Sequence, residues 1–304
     1  MSQFSSPSYA ASRYDANRPE CPRTVLNKVV DYYKIAAKVN GTGSLLVDVG
    51  CGSGNSTRLL YSHMGSLGGS PLIDRFVGCD VSQKMISFAK ASVREMGLDS
   101  SLSFDVIDYL ELQNRFDANS VEILTCMESV HWFTDIESFW GQCHRILKDK
   151  VGVLAVWGYV DPVILEYPRL DAIFEDLTYG NNKLGNDWSQ PGRTFLKNLL
   201  KDIKIDNQSF TDIEENVITV DQIRKAENLE TLGYVLKRKM KLQDLKDYFK
   251  TYSSYHSWKL RNSEGISDII DQAFELILKQ ENTLTMDAEV TVIWNSTYKL
   301  ARKY

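Results

Sequence analysis

The sequence predicts a doubly wound α/β fold, in which a mostly parallel sheet of seven strands carries helices on both faces. Strand-like apolar runs alternate with helix-like patterns along residues 1–160 of the 304-residue chain, an order typical of parallel sheets. The apolar run 45–47 leads through Asp48 into a glycine-rich turn at 50–54, and a helix start follows. Two late strand-like segments complete the sheet as an antiparallel pair.

The first half of the chain supplies the parallel part of this sheet. A Ser-rich arm at 1–22 ends in two prolines, and apolar residues at helical spacing follow it up to residue 35. Further apolar runs after 45–47 predict four more strands, and amphipathic patterns between them predict helices. The predicted strands are 76–80, 102–107, 121–127 and 151–157, and the predicted helices between strands are 58–64, 82–97 and 136–147.

After Trp157 the alternation stops. Residues 163–206 favour helix and loop, and the late strands are expected at 210–220 and at 289–294, where β-branched residues are frequent. We expect a helical insertion at about 221–284 over the ligand-binding edge of the sheet, with the basic run 236–241 on a solvated helix face or loop. The expected organisation is an arm and helix at 1–40, a cofactor-binding core at 41–162, and substrate-side elements at 163–304.

Composition narrows the function classes. The net charge is −5 and 43% of the residues are hydrophobic, which supports a full core and disfavours a nucleic-acid partner. The five cysteines are scattered without a CxxC pair, so we expect reduced thiols and no metal site. No apolar run approaches the roughly 18 residues of a membrane span, and a secretory leader is absent, so the expected location is cytoplasmic.

Acidic residues follow four successive strands of the predicted sheet. Gly50, Gly52 and Gly54 form G-x-G-x-G, which is a weak signal by itself because such turns also join strands to helices for steric reasons. Asp48 lies at the first strand end, and Asp80, Asp108 and Glu128 lie at the next three. Each acid alone could be a solvated loop residue or a helix cap, but together they predict a nucleoside pocket at the carboxyl edge.

These residues carry a resemblance to a known family. The segments D-V-G-C-G-S-G at 48–54, C-D-V-S at 79–82 and E-S-V-H-W-F at 128–133 resemble successive motifs of class I S-adenosylmethionine-dependent methyltransferases. Further segments resemble the fungal trans-aconitate 3-methyltransferase group along nearly the whole chain. They are R-P at 18–19, W-G-Y-V-D-P at 157–162, Q-P-G-R at 190–193, Y-H-S-W at 255–258 and W-N-S-T-Y-K-L at 294–300.

The resemblance implies a Rossmann-like sheet, S-adenosylmethionine as cofactor, and a role for each motif. The turn at 50–54, Cys51 included, would cradle the methionine part, with Asp48 near its ammonium group. Asp80 would accept hydrogen bonds from the ribose hydroxyls, Met85 would pack on the adenine face, and Asp108 would accept from the adenine amino group. Val81, next to Asp80, is a further expected cofactor contact. Glu128 and Trp132 would line the channel to the methyl group.

The implied substrate is a small polycarboxylic acid such as trans-aconitate, esterified at one carboxylate. A carboxylate is ionised at neutral pH and needs no general base, so we expect a positioning mechanism without a catalytic base. Arg18 and Arg193 are candidate clamps for the other carboxylates, and His131 could donate to one. Each could instead be a surface or packed residue. Aromatic residues that could enclose the site, or simply belong to the core, are Trp132, Trp157, Tyr159, Trp258 and Tyr298, of which Trp157 and Tyr298 are our candidates.

Three alternatives stay open. The chain could methylate another small molecule, as related fungal methyltransferases do, or it could bind the cofactor without catalysis. A dehydrogenase is a more distant alternative, because its usual spacing is G-x-G-x-x-G and Gly54 comes one residue early. The expected partner is a small-molecule carboxylate rather than a nucleic acid or a membrane, with the chain a monomer or a homodimer.

Overall fold

Eight strands form one sheet in the computed structural model, which describes residues 18–36, 43–65, 71–98, 100–262 and 267–304. The strands are β1 (Leu45–Val49), β2 (Arg75–Asp80), β3 (Leu102–Val106), β4 (Ile123–Met127), β5 (Val153–Ile164), β6 (Phe210–Ile218), β7 (Lys237–Lys241) and β8 (Glu289–Lys303). Their order is β3-β2-β1-β4-β5-β8-β6, with β7 also paired to β8. Strands β1 to β5 pair in parallel, and β8 runs antiparallel to β5, β6 and β7.

Ten helices accompany the sheet within the described residues. They are α1 (Arg23–Lys34), α2 (Asn55–Met64), α3 (Gln83–Glu95), α4 (Ile136–Ile146), α5 (Asp171–Tyr179), α6 (Gly192–Lys197), α7 (Val220–Lys225), α8 (Leu242–Phe249), α9 (Ser253–Arg261) and α10 (Ile269–Gln280). None of the helices in the described ranges is long and apolar enough to cross a membrane.

The sheet is covered by apolar side chains on both faces. Strand β1 is buried along its whole length. Its neighbouring residues Leu46 and Val47 belong to two separate hydrophobic clusters, because successive side chains of a strand point to opposite faces. This is the packing expected of a doubly wound parallel sheet, and the predicted fold class is therefore confirmed, including the late antiparallel strands.

The structure corrects the interpretation of the basic run at 236–241. Residues Lys237–Lys241 form β7, an additional strand paired with the first part of β8. Met240 is the one buried residue of β7, and Lys239 and Lys241 beside it are exposed, since successive side chains of a strand point to opposite faces. Exposed lysines are common on strands at sheet edges, so the charge pattern that suggested a helix face also suits an edge strand.

Several boundaries also differ from the predicted ones. Strand β5 continues to Ile164 and β8 to Lys303, because the two strands pair along almost their whole length. A register shift between Val160 and Pro162 leaves Asp161 in a bulge with φ 54°. Of the predicted arm at 1–22, the part before residue 18 lies outside the described residues.

Candidate active site

A tight glycine turn joins β1 to α2. The N–H groups of Gly50 and Cys51 both donate to the carbonyl oxygen of Cys79, at 2.7 and 3.0 Å. Gly50 and Gly54 have φ angles of 72° and 82°. A Cβ atom on Gly50 would lie 2.3 Å from Ser129 Cβ, and one on Gly54 would lie 2.5 Å from the ring of Phe104. Both positions therefore require glycine, for conformation and for space.

Asp48 lies beneath this turn rather than on a cavity wall. It is 1% exposed, and its two carboxylate oxygens accept hydrogen bonds from the hydroxyls of Thr57 (2.8 Å) and Thr125 (2.7 Å). Burial raises the pKa of Asp48 to about 6. In these contacts Asp48 fastens the start of α2 to β4, a different position from the predicted one beside a ligand's ammonium group.

Asp80 ends β2 next to the glycine turn. Its carboxylate accepts hydrogen bonds from the N–H groups of Gly52 (3.0 Å) and Ser82 (2.8 Å). Burial raises the pKa of Asp80, although both hydrogen bonds oppose the shift. Asp108, beyond β3, accepts from the N–H of Leu110 at 2.9 Å. These bonds fix the two carboxylates at the same edge of the sheet, since the carboxyl ends of parallel strands meet there.

A cavity of about 480 Å³ opens at this edge, within the range usual for small-molecule sites. All the predicted cofactor residues except Asp48 and Gly54 line it. They are Gly50, Cys51, Gly52, Asp80, Val81, Met85, Asp108, Glu128 and Trp132. A Cβ atom on Gly52 would lie 3.3 Å from Met85 Cε. The cavity thus combines acceptors for hydroxyl and amino groups with an apolar wall, and it fits S-adenosylmethionine.

Glu128 ends β4 in a left-handed conformation with φ 57°. Its N–H donates to the carbonyl oxygen of Trp157 at 2.9 Å, and its Oε1 accepts from the N–H of Tyr159. Burial raises the pKa of Glu128 to about 8, although the Tyr159 N–H and the charges of Arg18 and Arg193 act in the opposite direction. The carboxyl group is therefore largely protonated at neutral pH.

A second, smaller cavity of about 40 Å³ adjoins the first. Five residues line both cavities, namely Arg18, Glu128, Trp132, Tyr159 and Ser253. The predicted substrate residues His131 and Arg193 line the second cavity. His131 follows β4 in the short 3-10 helix Val130–Trp132, and burial lowers its pKa to about 3, so the ring is neutral.

Arg193 is a buried residue with 6% exposure. Its Nη2 donates to Asp161 Oδ1 and to the Tyr179 hydroxyl, both at 2.8 Å. The guanidinium carbon lies 4.0 Å from the centre of the Trp188 ring. Within the described residues its Nε has no hydrogen-bond partner. The possibility that Arg193 is a surface arginine is therefore excluded, and Asp161 already balances its charge.

Arg18 approaches the same cavity from the arm. Its Nη1 donates to the hydroxyl of Tyr248 at 3.2 Å, and its guanidinium carbon lies 4.9 and 5.4 Å from the ring centres of Tyr248 and Tyr252. These are cation–π distances. Arg18 and Arg193 are thus brought to one small cavity from positions 175 residues apart in the sequence.

The aromatic candidates divide between the cavity wall and the core. Trp157 lines the first cavity, and its Nε1 has no partner among the described residues. Tyr298 lines neither cavity. Its hydroxyl donates to Glu214 at 2.8 Å, and its ring packs 5.5 Å from that of Tyr234. The structure therefore gives Tyr298 a place in the β6–β8 ladder and not at the site.

Four charged or aromatic residues of the second cavity had no place among the sequence candidates. They are Asp161, Trp188, Tyr248 and Tyr252. The motif at 157–162 includes Asp161, and Trp188 lies just before the motif at 190–193. Both residues could therefore have been identified from their position in or beside these motifs. Tyr248 and Tyr252 carry no such signal. Among the described residues, no group of three His, Cys, Asp or Glu side chains could hold a metal ion.

Comparisons with known proteins bear on this site. Residues 47–155 match a family model described as a methyltransferase domain. The chain is 24% identical over 302 residues to the probable S-adenosylmethionine-dependent methyltransferase CRG1 of Saccharomyces cerevisiae, covering 97% of this chain and 96% of the relative. It is also 30% identical over 148 residues to a ubiquinone biosynthesis O-methyltransferase of Actinobacillus pleuropneumoniae, covering 48% of this chain and 58% of that protein.

Solved structures share the fold. A putative type II methyltransferase from Anaeromyxobacter dehalogenans has a TM-score of 0.66 at 18% identity, covering 94% of this chain and 97% of that one. The phosphoethanolamine N-methyltransferase 2 of Haemonchus contortus, in complex with S-adenosyl-L-methionine, has a TM-score of 0.54 at 16% identity, covering 100% of this chain and 60% of that one.

Proposed function

We propose that this chain, a class I S-adenosylmethionine-dependent methyltransferase, esterifies a carboxylate of a small polycarboxylic acid of the trans-aconitate type. The observation that carries the proposal is the pair Arg18 and Arg193 at the second cavity, directly beside the cofactor cavity. Guanidinium groups bind carboxylates through paired, charge-assisted hydrogen bonds. A polycarboxylate can place one carboxylate there while another reaches the cofactor.

The proposed reaction depends on alignment. S-adenosylmethionine, when bound, supplies an electrophilic methyl group on a positively charged sulfur. The acceptor carboxylate is already ionised, so the residues of the chain must orient it and exclude water. Trp132 and Trp157 line the cavity where this occurs, and we assign them to the wall around the acceptor.

The cofactor residues are assigned by their chemistry and position. Asp80 has the acceptor oxygens that a ribose diol needs, and the bonds to Gly52 and Ser82 hold its carboxylate in place. Asp108 is assigned to the adenine amino group, and Met85 with Val81 to the adenine ring. The turn residues Gly50, Cys51 and Gly52 are assigned to the methionine part.

A second candidate is methylation of a hydroxyl acceptor. Glu128 lines both cavities and His131 lines the second. Burial lowers the pKa of His131 to about 3, so its ring is neutral and could accept a proton from such an acceptor. The likeness to a ubiquinone biosynthesis O-methyltransferase over about half the chain agrees with this candidate. The arginine pair, of which Arg193 is buried, favours the carboxylate.

Titration with S-adenosylhomocysteine tests the cofactor site. We expect the wild-type protein to bind it and Asp80→Ala to lose at least tenfold in affinity, because the ribose hydroxyls lose their acceptor. Asp117→Ala removes an exposed carboxylate that lines neither cavity and should bind like the wild type. Equal affinity of both variants would refute the assignment of Asp80.

Turnover with methyl-labelled S-adenosylmethionine and a panel of di- and tricarboxylates tests the substrate. We expect a labelled product that mild base hydrolyses, since a methyl ester is base-labile. A base-stable product would instead indicate a hydroxyl or other acceptor. Cofactor binding without turnover on any compound would support the non-catalytic alternative.

A further inference from the structure

The hydroxyl of Tyr248, which lines the second cavity, accepts hydrogen bonds from two groups that can only donate. Nη1 of Arg18 donates to it at 3.2 Å, and Nε1 of Trp294 donates to it at 3.3 Å. A guanidinium group and an indole N–H contain no acceptor atom, so neither of them can take the hydrogen of the hydroxyl itself. This hydrogen is therefore left for a third group, and among the described residues no acceptor is bonded to it.

The position of this hydroxyl is fixed by packing. The side chain of Tyr248 is 1% exposed, and Trp294 in β8 is fully buried. The two rings meet at 69° with their centres 6.0 Å apart, and the ring of Phe249 meets that of Tyr248 at 87°. Trp294 begins the motif at 294–300, and its contact with Tyr248 gives this motif a place beside the second cavity.

Tyr252 brings a second hydroxyl to the same cavity. It precedes α9, lines the second cavity and is 2% exposed. Its ring centre lies 5.4 Å from that of Tyr248, and the guanidinium carbons of Arg18 and Arg193 lie 5.4 and 5.8 Å from it. Its hydroxyl forms no hydrogen bond with a described residue and is not among the fully buried polar atoms, so a ligand in the cavity can reach it.

We propose that the hydroxyls of Tyr248 and Tyr252 donate hydrogen bonds to the non-reacting carboxylate of the substrate and thereby make the second cavity specific for a carboxylate. This inference rests on the proposed function, in which a polycarboxylate places one of its carboxylates beside Arg18 and Arg193. The two phenols act as neutral donors, and no proton is transferred. Burial raises the pKa of Tyr252 above its usual value, so this phenol keeps its hydrogen.

A carboxylate suits these donors better than other groups of similar size. Its two oxygens have about four acceptor sites and no hydrogen, so they can accept from guanidinium and phenol groups together. An ammonium group can only donate, and it would meet donors alone. A ligand without the second carboxylate would leave the hydrogen of Tyr248 buried and unpaired, which is costly. The phenols therefore disfavour such ligands in addition to binding the correct one.

The Tyr252→Phe variant tests the proposal by calorimetric titration with trans-aconitate, after saturation of the protein with S-adenosylhomocysteine. We expect its affinity for trans-aconitate to fall by about ten- to a hundredfold, because a hydrogen bond to a charged group is lost. Its affinity for S-adenosylhomocysteine and its free energy of unfolding should stay at the wild-type values. The hydroxyl that is removed forms no hydrogen bond with a described residue, so the fold does not depend on it.

Two further variants supply the comparison. Tyr248→Phe should lose at least as much affinity for trans-aconitate, because Arg18 also loses a partner. It should also be less stable, since the N–H of Trp294 remains buried without its acceptor. Tyr234→Phe makes the same chemical change at a buried tyrosine that lines neither cavity and should keep the wild-type affinity for both ligands.

The contrary outcomes are distinct. Wild-type affinity of Tyr252→Phe for trans-aconitate overturns the inference and leaves the proposed function standing, even if Tyr248→Phe binds weakly, because that variant also disturbs Arg18. Equal losses of affinity for trans-aconitate and S-adenosylhomocysteine in Tyr252→Phe also overturn it, since the change would then act through the fold. Failure of the wild type to bind or methylate any di- or tricarboxylate overturns the proposed function and the inference together.

Discussion

At the scale of single residues, the site contains groups whose pKa is shifted by burial away from its usual value. Burial raises the pKa of Glu128 to about 8 even though Arg18 and Arg193 act against the shift. A carboxyl group whose pKa is raised in the folded state binds its proton more tightly there than in the unfolded chain. It therefore lowers the free energy of unfolding as pH rises from its unfolded pKa to its folded pKa.

The stability of Glu128→Gln should differ from that of the wild type in a pH-dependent way. The unfolded carboxyl titrates near 4.3 and the folded one at about 8. Between these values the wild type loses stability with rising pH, by up to a few kcal/mol in total, and the variant lacks this loss. Denaturant unfolding without ligand should show that the free energy of unfolding of the variant rises, relative to that of the wild type, from pH 5 to pH 8. A constant difference at both pH values would contradict the shifted pKa.

Gly50 illustrates a residue that both conformation and space require. Gly50→Ala should cost about 3 kcal/mol of stability or more, from the strained positive φ and from a Cβ atom 2.3 Å from that of Ser129. Gly97 has a similar φ of 67° but open space around it. Gly97→Ala should therefore cost only about 1–2 kcal/mol. Chemical unfolding of both variants measures the difference, and equal losses would show that the contact with Ser129 is readily relieved.

At the scale of elements, the helices that follow β5 pack on one another through aromatic side chains. Phe174 of α5 and Phe249 of α8 stack with ring centres 5.5 Å apart, and Phe274 of α10 meets both edge-on. All three are at most 3% exposed. The helix that carries Phe249 also carries Tyr248, which bonds to Arg18. This aromatic packing therefore positions one wall of the second cavity.

Phe249→Ala should destabilise the protein by about 3–5 kcal/mol, because it leaves a cavity among large buried side chains. It should also weaken carboxylate binding more than S-adenosylhomocysteine binding, since α8 contributes to the second cavity. Leu260→Ala removes an apolar side chain that is 87% exposed and should change neither property. Thermal unfolding and titration of both ligands measure these effects. Equal losses of both affinities in Phe249→Ala would argue against α8 as a specific support of the second cavity.

At the scale of the whole molecule, the second cavity joins parts of the chain that are distant in sequence. The arm supplies Arg18, β4 leads to Glu128 and His131, β5 supplies Asp161, and α6 supplies Arg193. A ligand in this cavity would contact both the parallel core and the elements after β5. We therefore expect it to stabilise the folded molecule beyond the effect of the cofactor product alone.

Thermal unfolding with S-adenosylhomocysteine, and then with added trans-aconitate, should show two separate increments in the wild type. A ligand at ten times its Kd contributes about 1.4 kcal/mol, or roughly 3 °C for a chain of this size. Arg193→Lys keeps the charge but loses the planar fork, so the second increment should shrink while the first remains. Arg115→Lys alters an exposed arginine paired with Asp105 and should retain both. Two full increments in Arg193→Lys would remove Arg193 from the proposed site.

The sequence by itself determined the doubly wound sheet and the residues at its carboxyl edge. These features depend on local signals, namely apolar runs, a glycine turn and an acid after each strand. The carboxyl ends of parallel strands lie at the same edge of the sheet, irrespective of the loops that connect them. For that reason Gly50, Asp80, Asp108 and Glu128 line one cavity, as their spacing suggested.

Only the tertiary structure decided the second cavity and the ionisation of its groups. Residues Lys237–Lys241 form β7 because they pair with β8. Tyr248 is hydrogen-bonded to Arg18 although the two residues are 230 positions apart in the sequence. Asp48 and Tyr298 are residue types that are common in ligand-binding sites. In the structure, however, Asp48 accepts hydrogen bonds from Thr57 and Thr125, and Tyr298 donates to Glu214. The proton on Glu128 depends on burial, a property that long-range packing creates and that no local pattern encodes.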